Sequence, residues 1–486
     1  MLGTLSGLLY LTAAVPLVSV RGGALAVYLT VFPLLFGIYL AAVWVVRRQP
    51  RPAKPVAGSR WSTSLATILG FGLLFRVLLL PTPVYLSSDP YRYFWDGRVQ
   101  LAGINPYRYP PAAPELTALR DGDVHPNINR PGSRTIYPPG AQWIFVFAAA
   151  AGVRTVLTWR ILVLVAEAVT VTVLLGLLRR LRLPETAVLV YVWSPLVVFE
   201  GVQGGHLDLL MVPLVLLALW WRREGAAARA GFALGLAVLV KLYPAVLALA
   251  WSGKRASVPS GLESHGAGEA LRPARSTASA AAEQRDEDQP GRGPWIVTWW
   301  RSRDWRFVAA VGATVALGYA PYVWATGAGA LGFLPEYFGS AEDHNIGLRA
   351  LLTWGIGWTS DLARTTMIAI LFVVLLGALL WIGRAGAAVE RTGAAAIGAY
   401  LALVPTAMHP WYVVWIVPFL CLVPSRAWLY FTGAVSLSYV AYLTSPAPLP
   451  AWAWLAQYGP LFGLLAVAAW RSRAGRPATV VVAGAT

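Results

Sequence analysis

Apolar runs of about 20 residues recur along the whole chain, and no other feature limits its folding as strongly. They lie at about 4–20, 24–46, 62–86, 155–178, 187–204, 206–221, 229–251, 307–326, 365–383, 393–408, 411–424, 427–443 and 452–470. A run of this length spans the hydrocarbon core of a bilayer once it is helical. In lipid it has to be helical, because each backbone N–H and C=O must find its partner within the segment. Only 13% of the residues are charged, against roughly 25% in soluble domains. The expected fold is therefore an all-α polytopic membrane protein, with about 12–14 transmembrane helices, one membrane domain and a large first outer loop.

The net charge of +17 is not a nucleic-acid footprint, since the basic residues stand in short clusters beside the apolar runs. Such clusters, among them Arg47-Arg48, Arg179-Arg180, Arg222-Arg223, Lys254-Arg255 and Arg471-Arg473, are expected on the cytoplasmic side. Both termini then lie in the cytoplasm, and the first helix is expected to be retained rather than cleaved as a signal peptide. The organisation that follows is a first membrane part over 1–251, containing an outer loop at 87–142, and a second membrane part over 305–472. A disordered cytoplasmic linker is expected over 252–304 and a cytoplasmic tail over 473–486. The one cysteine, Cys421, lies inside an apolar run and excludes a disulfide framework within the chain.

Basic clusters flank the run at 229–251 on both sides, which requires an even number of crossings. The chain should turn back at Lys241-Leu242-Tyr243-Pro244, where proline ends the helix and the freed backbone groups face protein or water. A single tilted helix with Lys241 reaching to an interface is the alternative.

Sorted by side, the unusual polar residues fall on the outer face. They are Asp89 and Asp96 in the first loop, Glu200, Gln203, His206 and Asp208 at a helix turn, and Lys241 at the tip. Glu336, Glu342, Asp343 and His344 lie in a second loop, and His409-Pro410-Trp411-Tyr412 at the end of a further pair. Ionisable groups at such depths are costly and so are functional candidates. Each has a plainer reading. Ser88-Asp89-Pro90 is also a helix boundary, Asp96 suits a turn, Asp208 complements a helix dipole, and His409 with its aromatics suits an interface. His206, Asp208, His344 and His409 show no ligand spacing of a recognised metal site, so no metal and no other cofactor is expected.

The order of Asp89-x-x-x-Tyr93, Gly103-Ile104-Asn105-Pro106-Tyr107, Tyr137-Pro138-Pro139, Gly205-His206-Leu207-Asp208, Lys241-Leu242-Tyr243-Pro244 and His409-Pro410-Trp411-Tyr412 resembles the GT-C membrane glycosyltransferases. The likeness is to family 87 and the related actinobacterial polyprenyl-phosphomannose-dependent mannosyltransferases, over residues 62–424. The resemblance implies a GT-C-type bundle in a bacterial plasma membrane and a sugar donor carried on polyprenyl phosphate. The acceptor would be a glycolipid or polysaccharide, with transfer on the outer face and a catalytic carboxylate in the first outer loop. That role carries over to Asp89, with Asp96 second. The residues allow the same chemistry independently. A carboxylate takes the proton of an acceptor hydroxyl, and Lys241, Arg92 or Arg98 meets the charge on the leaving phosphate. His206, Asp208 and His409 are further binding candidates, and Tyr93, Trp95, Trp411 and Tyr243 offer faces to a pyranose ring. A transporter or flippase of lipid-linked sugars is the competing reading, although such proteins place charge near the midplane of broken helices.

Overall fold

The fold comes from a computed structural model of the full chain, which describes residues 1–14, 21–48, 62–254, 300–339, 344–357, 360–384, 388–403, 407–443 and 449–474. Glu342, Asp343, most of the expected linker (255–299) and the tail from 475 lie outside the described residues.

The described residues form helices and turns, with no strand among them. Five stretches are long and apolar enough to cross a membrane: Gly23–Arg48, Val156–Arg180, Trp305–Phe338, Asp361–Ile382 and Ala451–Ser472. Further apolar helices of 10–17 residues, such as Thr63–Leu79 and Ala227–Val240, pack among them. The protein is an all-α polytopic membrane protein. Several expected spans are broken. The run at 187–204 is two helices, Glu185–Val192 and Pro195–Gln203, bent by 57°. Pro195 causes the break, because it cannot continue the preceding helix and its Ser194 caps the next one. The runs at 411–424 and 427–443 also change between α and 3-10 geometry, at Val414–Ile416 and Val435–Tyr442.

The first loop is more ordered than its composition suggests. It opens with α1 (Asp89–Leu101), carries two 3-10 turns, and ends in α2 (Pro139–Ala150), so that Gln142 stands inside a helix. Asp89 occupies the first turn of α1, where a carboxylate complements the helix dipole.

Three further helices carry the site: α3 (Asp208–Arg223), α4 (Ala227–Val240) and α5 (Ala245–Ala250). Lys241, just after α4, reaches Asp208 at the start of α3. Arg222, in the last turn of α3, donates to the Trp251 carbonyl just after α5 (2.9 Å). The 16 residues of α3 rise about 24 Å, so the chain from Lys241 to Trp251 must run back along α3. The contacts thus give the reversal expected at Lys241-Leu242-Tyr243-Pro244, with Lys241 extended at φ −149°.

At the Arg222 end, Asp304 N–H donates to the Ser252 carbonyl (2.7 Å) and Lys254 N–H to the Ser302 carbonyl (2.8 Å). Arg222 also holds Asp304 (2.8 Å). Residues 252–254 and 302–304 therefore leave and rejoin the bundle at one clamped point. Arg180 with Glu224 and Arg223 with Glu390 gather further basic residues at this end. Asp89, Asp208 and Lys241 stand at the other.

Candidate active site

A cavity of about 410 Å³ opens at the Lys241 end, within the range of about 300–1,000 Å³ typical of small-molecule sites. Asp89 is its one carboxylate among the described residues. Lys241, Arg92, Arg130 and Arg134 also line it, and aromatic residues from both halves of the chain make about half of the remaining wall.

Asp89 Oδ1 accepts a hydrogen bond from Asn129 Nδ2 at 2.7 Å, and Oδ2 lies 3.6 Å from His206 Nδ1. Burial alone raises its pKa, but the His206 ring, the Lys241 charge and the Asn129 amide outweigh burial and hold the carboxyl well below its usual range. Asp89 is therefore ionised near neutral pH.

His206 is completely buried, with Asp89 on one side and Glu200 Oε2 3.1 Å from Nε2 on the other. Both contacts are ion-pair approaches, and neither has good hydrogen-bond geometry. Burial pushes the imidazole pKa down, and the two carboxylates raise it further, to about 9. The local backbone explains the placement. Phe199–Gln203 is a π turn, and Gly205 has a left-handed φ of 64°. Gly205 N–H donates to the Gly201 carbonyl, and His206 N–H to the Glu200 carbonyl (3.1 Å). Each bond spans one residue more than in a usual left-handed helix end, because the last turn is widened. A Cβ on Gly204 would sit 2.7 Å from the His206 ring.

Asp208 accepts from Lys241 Nζ (3.1 Å) and Trp415 Nε1 (2.6 Å). Lys241 also lies over the Tyr412 ring, 5.4 Å from its centroid. Tyr243 lines the cavity and stacks on Trp415, with centroids 3.4 Å apart. The rings of His344, His409, Trp411 and His206 form a continuous stack, with successive centroids at 5.3, 4.2 and 4.2 Å. Burial and the neighbouring His344 keep the His409 pKa low, and its buried Nδ1 has no hydrogen-bond partner among the described residues. Burial likewise lowers His344, to about 4.

The expected residues thus divide. Asp89, Arg92, Lys241, Tyr243, His409 and Trp411 line the cavity. His206 and Asp208 stand directly behind its wall. Asp96 is turned away, with its oxygens taken by Arg92 (2.9 Å), Thr135 (2.6 Å) and Gln142 (3.0 Å). It holds Arg92, whose other contact is the Ser133 carbonyl (3.1 Å). Arg98 pairs with Asp121 (2.5 Å), Trp95 packs on His125, and Tyr93 accepts from Leu207 N–H, so none of these three lines the cavity. Asn129, Arg130 and Arg134 were not anticipated. The one sequence signal near them was Asn129-Arg130-Pro131 within a long ordered loop. Tyr400 and Trp415 were hidden among ordinary aromatics of apolar runs, and Tyr337 beside Glu336 in the second outer loop. Among the described residues, no three His, Cys, Asp or Glu side chains group as metal ligands.

The family model MptA_B, described as alpha-(1->6)-mannopyranosyltransferase, N-terminal domain, matches residues 5–255. That is more than half of the 486 residues. The chain belongs to this family. It is thus a mannosyltransferase, which decides against the transporter reading. The matched range ends close to where the chain leaves the bundle after Lys254; it spans Asp89, His206, Asp208 and Lys241, while His409, Trp411 and Trp415 lie beyond it. Comparison of this mannosyltransferase with curated proteins and with solved structures finds no match.

Proposed function

We propose that this mannosyltransferase moves mannose from a polyprenyl-phosphate donor to a hydroxyl of a glycolipid or polysaccharide acceptor, making an alpha-(1->6) linkage, with Asp89 as general base. The observation that carries the reading is a single carboxylate among the described residues sharing an aromatic-lined cavity with one lysine and three arginines. A sugar phosphate splits into those same two needs. The sugar carbon must meet a nucleophile relieved of its proton, and the phosphate must meet positive charge.

Asp89 accepts the acceptor hydroxyl's proton as the new bond to the anomeric carbon forms. The bond from that carbon to phosphate oxygen breaks, and the phosphate leaves with the electron pair. Lys241, Arg92, Arg130 and Arg134 stabilise the charge it gains. A retaining double displacement needs a second carboxylate close by. Asp89 is the one carboxylate lining the cavity among the described residues, which favours inversion in one step. Neutral His409 and Trp411 line the cavity and offer ring surface to the sugar. Asp96 acts behind Arg92, and no metal is assigned a role.

The site end lies opposite the gathered basic residues, which supports an outer-face reaction in a bacterial plasma membrane with cytoplasmic termini. The test is purified protein in nanodiscs with radiolabelled polyprenyl-phosphomannose and a membrane glycolipid extract, comparing wild type with Asp89→Asn. Label reaching a new product with wild type alone supports the reading; no transfer by wild type, or equal transfer by the variant, overturns it.

A further inference from the structure

Behind Asp89 a line of polar groups runs into the core, and one of them has no part in the reaction described above. Glu200 is fully buried in the π turn. Tyr439 Oη donates to its carboxylate, 3.1 and 3.2 Å from the two oxygens, while Oε2 faces His206 Nε2 at 3.1 Å. The ring's other nitrogen faces Asp89. Trp411 covers one face of the imidazole, 4.2 Å between centroids and 18° to its plane, and the ring lies so close to Gly204 that only a residue without Cβ fits there. The segment Glu200-Gly-Val-Gln-Gly-Gly-His206 thus sets a buried carboxylate on the side of the ring away from Asp89.

We infer that Glu200 is a positioning residue for transfer: it fixes the charged His206 ring with Nδ1–H toward Asp89, and so sets the aim and ionisation of the general base. The inference rests on the reading of Asp89 and adds a residue 3.1 Å behind its partner. A buried imidazolium facing a single carboxylate is poorly compensated, whereas one between two carboxylates is held in place and in charge. The other groups around the ring do not supply this. Asp208 is bound to Lys241 and Trp415, Tyr93 Oη accepts from Leu207 N–H, and His409 is held neutral by burial. Glu200 neither gains nor loses a proton in the transfer, and the acceptor's proton ends on Asp89.

The experiment compares wild type with Glu200→Gln, Glu200→Asp and His206→Asn, with polyprenyl-phosphomannose as probe. Rates are measured from pH 6 to 10 and folding is checked by thermal melting in detergent. Glu200→Gln keeps the shape and an acceptor for Tyr439. It should lower kcat by about 10²-fold, the scale of a misplaced reacting group, with donor KM within about twofold of wild type. Its alkaline limb should move to lower pH, because the ring has lost a counter-charge. Glu200→Asp, which restores the charge on a shorter arm, should return the limb toward its wild-type position. A merely structural Glu200 would change the amount of folded protein without moving the limb. A folded Glu200→Gln enzyme with unchanged kcat and limb overturns the inference. Should that variant not fold, His206→Asn decides: loss of the alkaline limb supports the inference, and an unchanged limb overturns it. An active Asp89→Asn enzyme would refute the general-base reading instead, so the two failures are distinguishable.

Discussion

Lys241→Met tests whether the lysine serves the donor phosphate or only Asp208. The substitution keeps most of the apolar stem and removes the ammonium. Two losses follow, and they separate. Asp208, 1% exposed, would lose its ion partner at 3.1 Å and keep only Trp415. Breaking a buried pair in this way costs about 3–5 kcal/mol, toward the low end here because the lysine side chain is 19% exposed. The donor phosphate would also lose a charge-assisted hydrogen bond, about 1.5–3 kcal/mol, or roughly 10- to 150-fold in donor KM. The double variant Lys241→Met/Asp208→Asn removes both charges and should recover most of the stability without recovering donor affinity. Thermal melting in detergent reads the first loss and initial rates against polyprenyl-phosphomannose concentration the second. A stable double variant with wild-type donor KM would refute the phosphate role and leave Lys241 as the structural partner of Asp208.

Asp89→Asn should reduce transfer by about 10²- to 10⁴-fold while donor binding, followed by competition with unlabelled lipid, stays near wild type. Gly204→Ala places a methyl group 2.7 Å from the His206 ring and should cost about 1–3 kcal/mol in stability together with much of the activity, whereas Gly103→Ala, where a Cβ meets no atom within 4 Å, should leave activity intact despite its φ of 76°. Deleting 256–298 should preserve folding and transfer, checked by size exclusion and the label assay, because the flanking residues bond to each other directly. His206 is raised from 6.5 to about 9, so its stabilisation by the two carboxylates is complete below about pH 6.5 and is lost as pH climbs through 9. Melting temperatures measured from pH 6 to 10 should fall across that window in wild type and less in His206→Asn.

Much of the helical content and the reversal at Lys241 could be read from the chain, because both follow from forces that act locally. Apolar length demands a helix, and proline ends one. The choice between Asp89 and Asp96 could not be read this way. Seven residues apart on α1, they share nearly one helical phase, and what separates them is about 10 Å along the axis. Only the fold sets Asp89 at the cavity and Asp96 against Thr135 and Gln142. The pairing of Arg92 with Asp96 at a spacing of four was the available sign that this part of the loop is helical. Asn129, Arg130 and Arg134 escaped notice because irregular loops have no period from which to infer direction. Trp415 escaped because its bond to Asp208, 207 positions away, looks in sequence like any buried aromatic.

That bond joins the two halves of the chain on either side of 255–299. One half brings Asp89 and Lys241 to the cavity, the other most of its aromatic residues. A sugar lodged between them therefore acts as a bolt through a seam. Filling the cavity should tighten the whole bundle, and a protein cut within 256–298 should hold together better with donor bound than without.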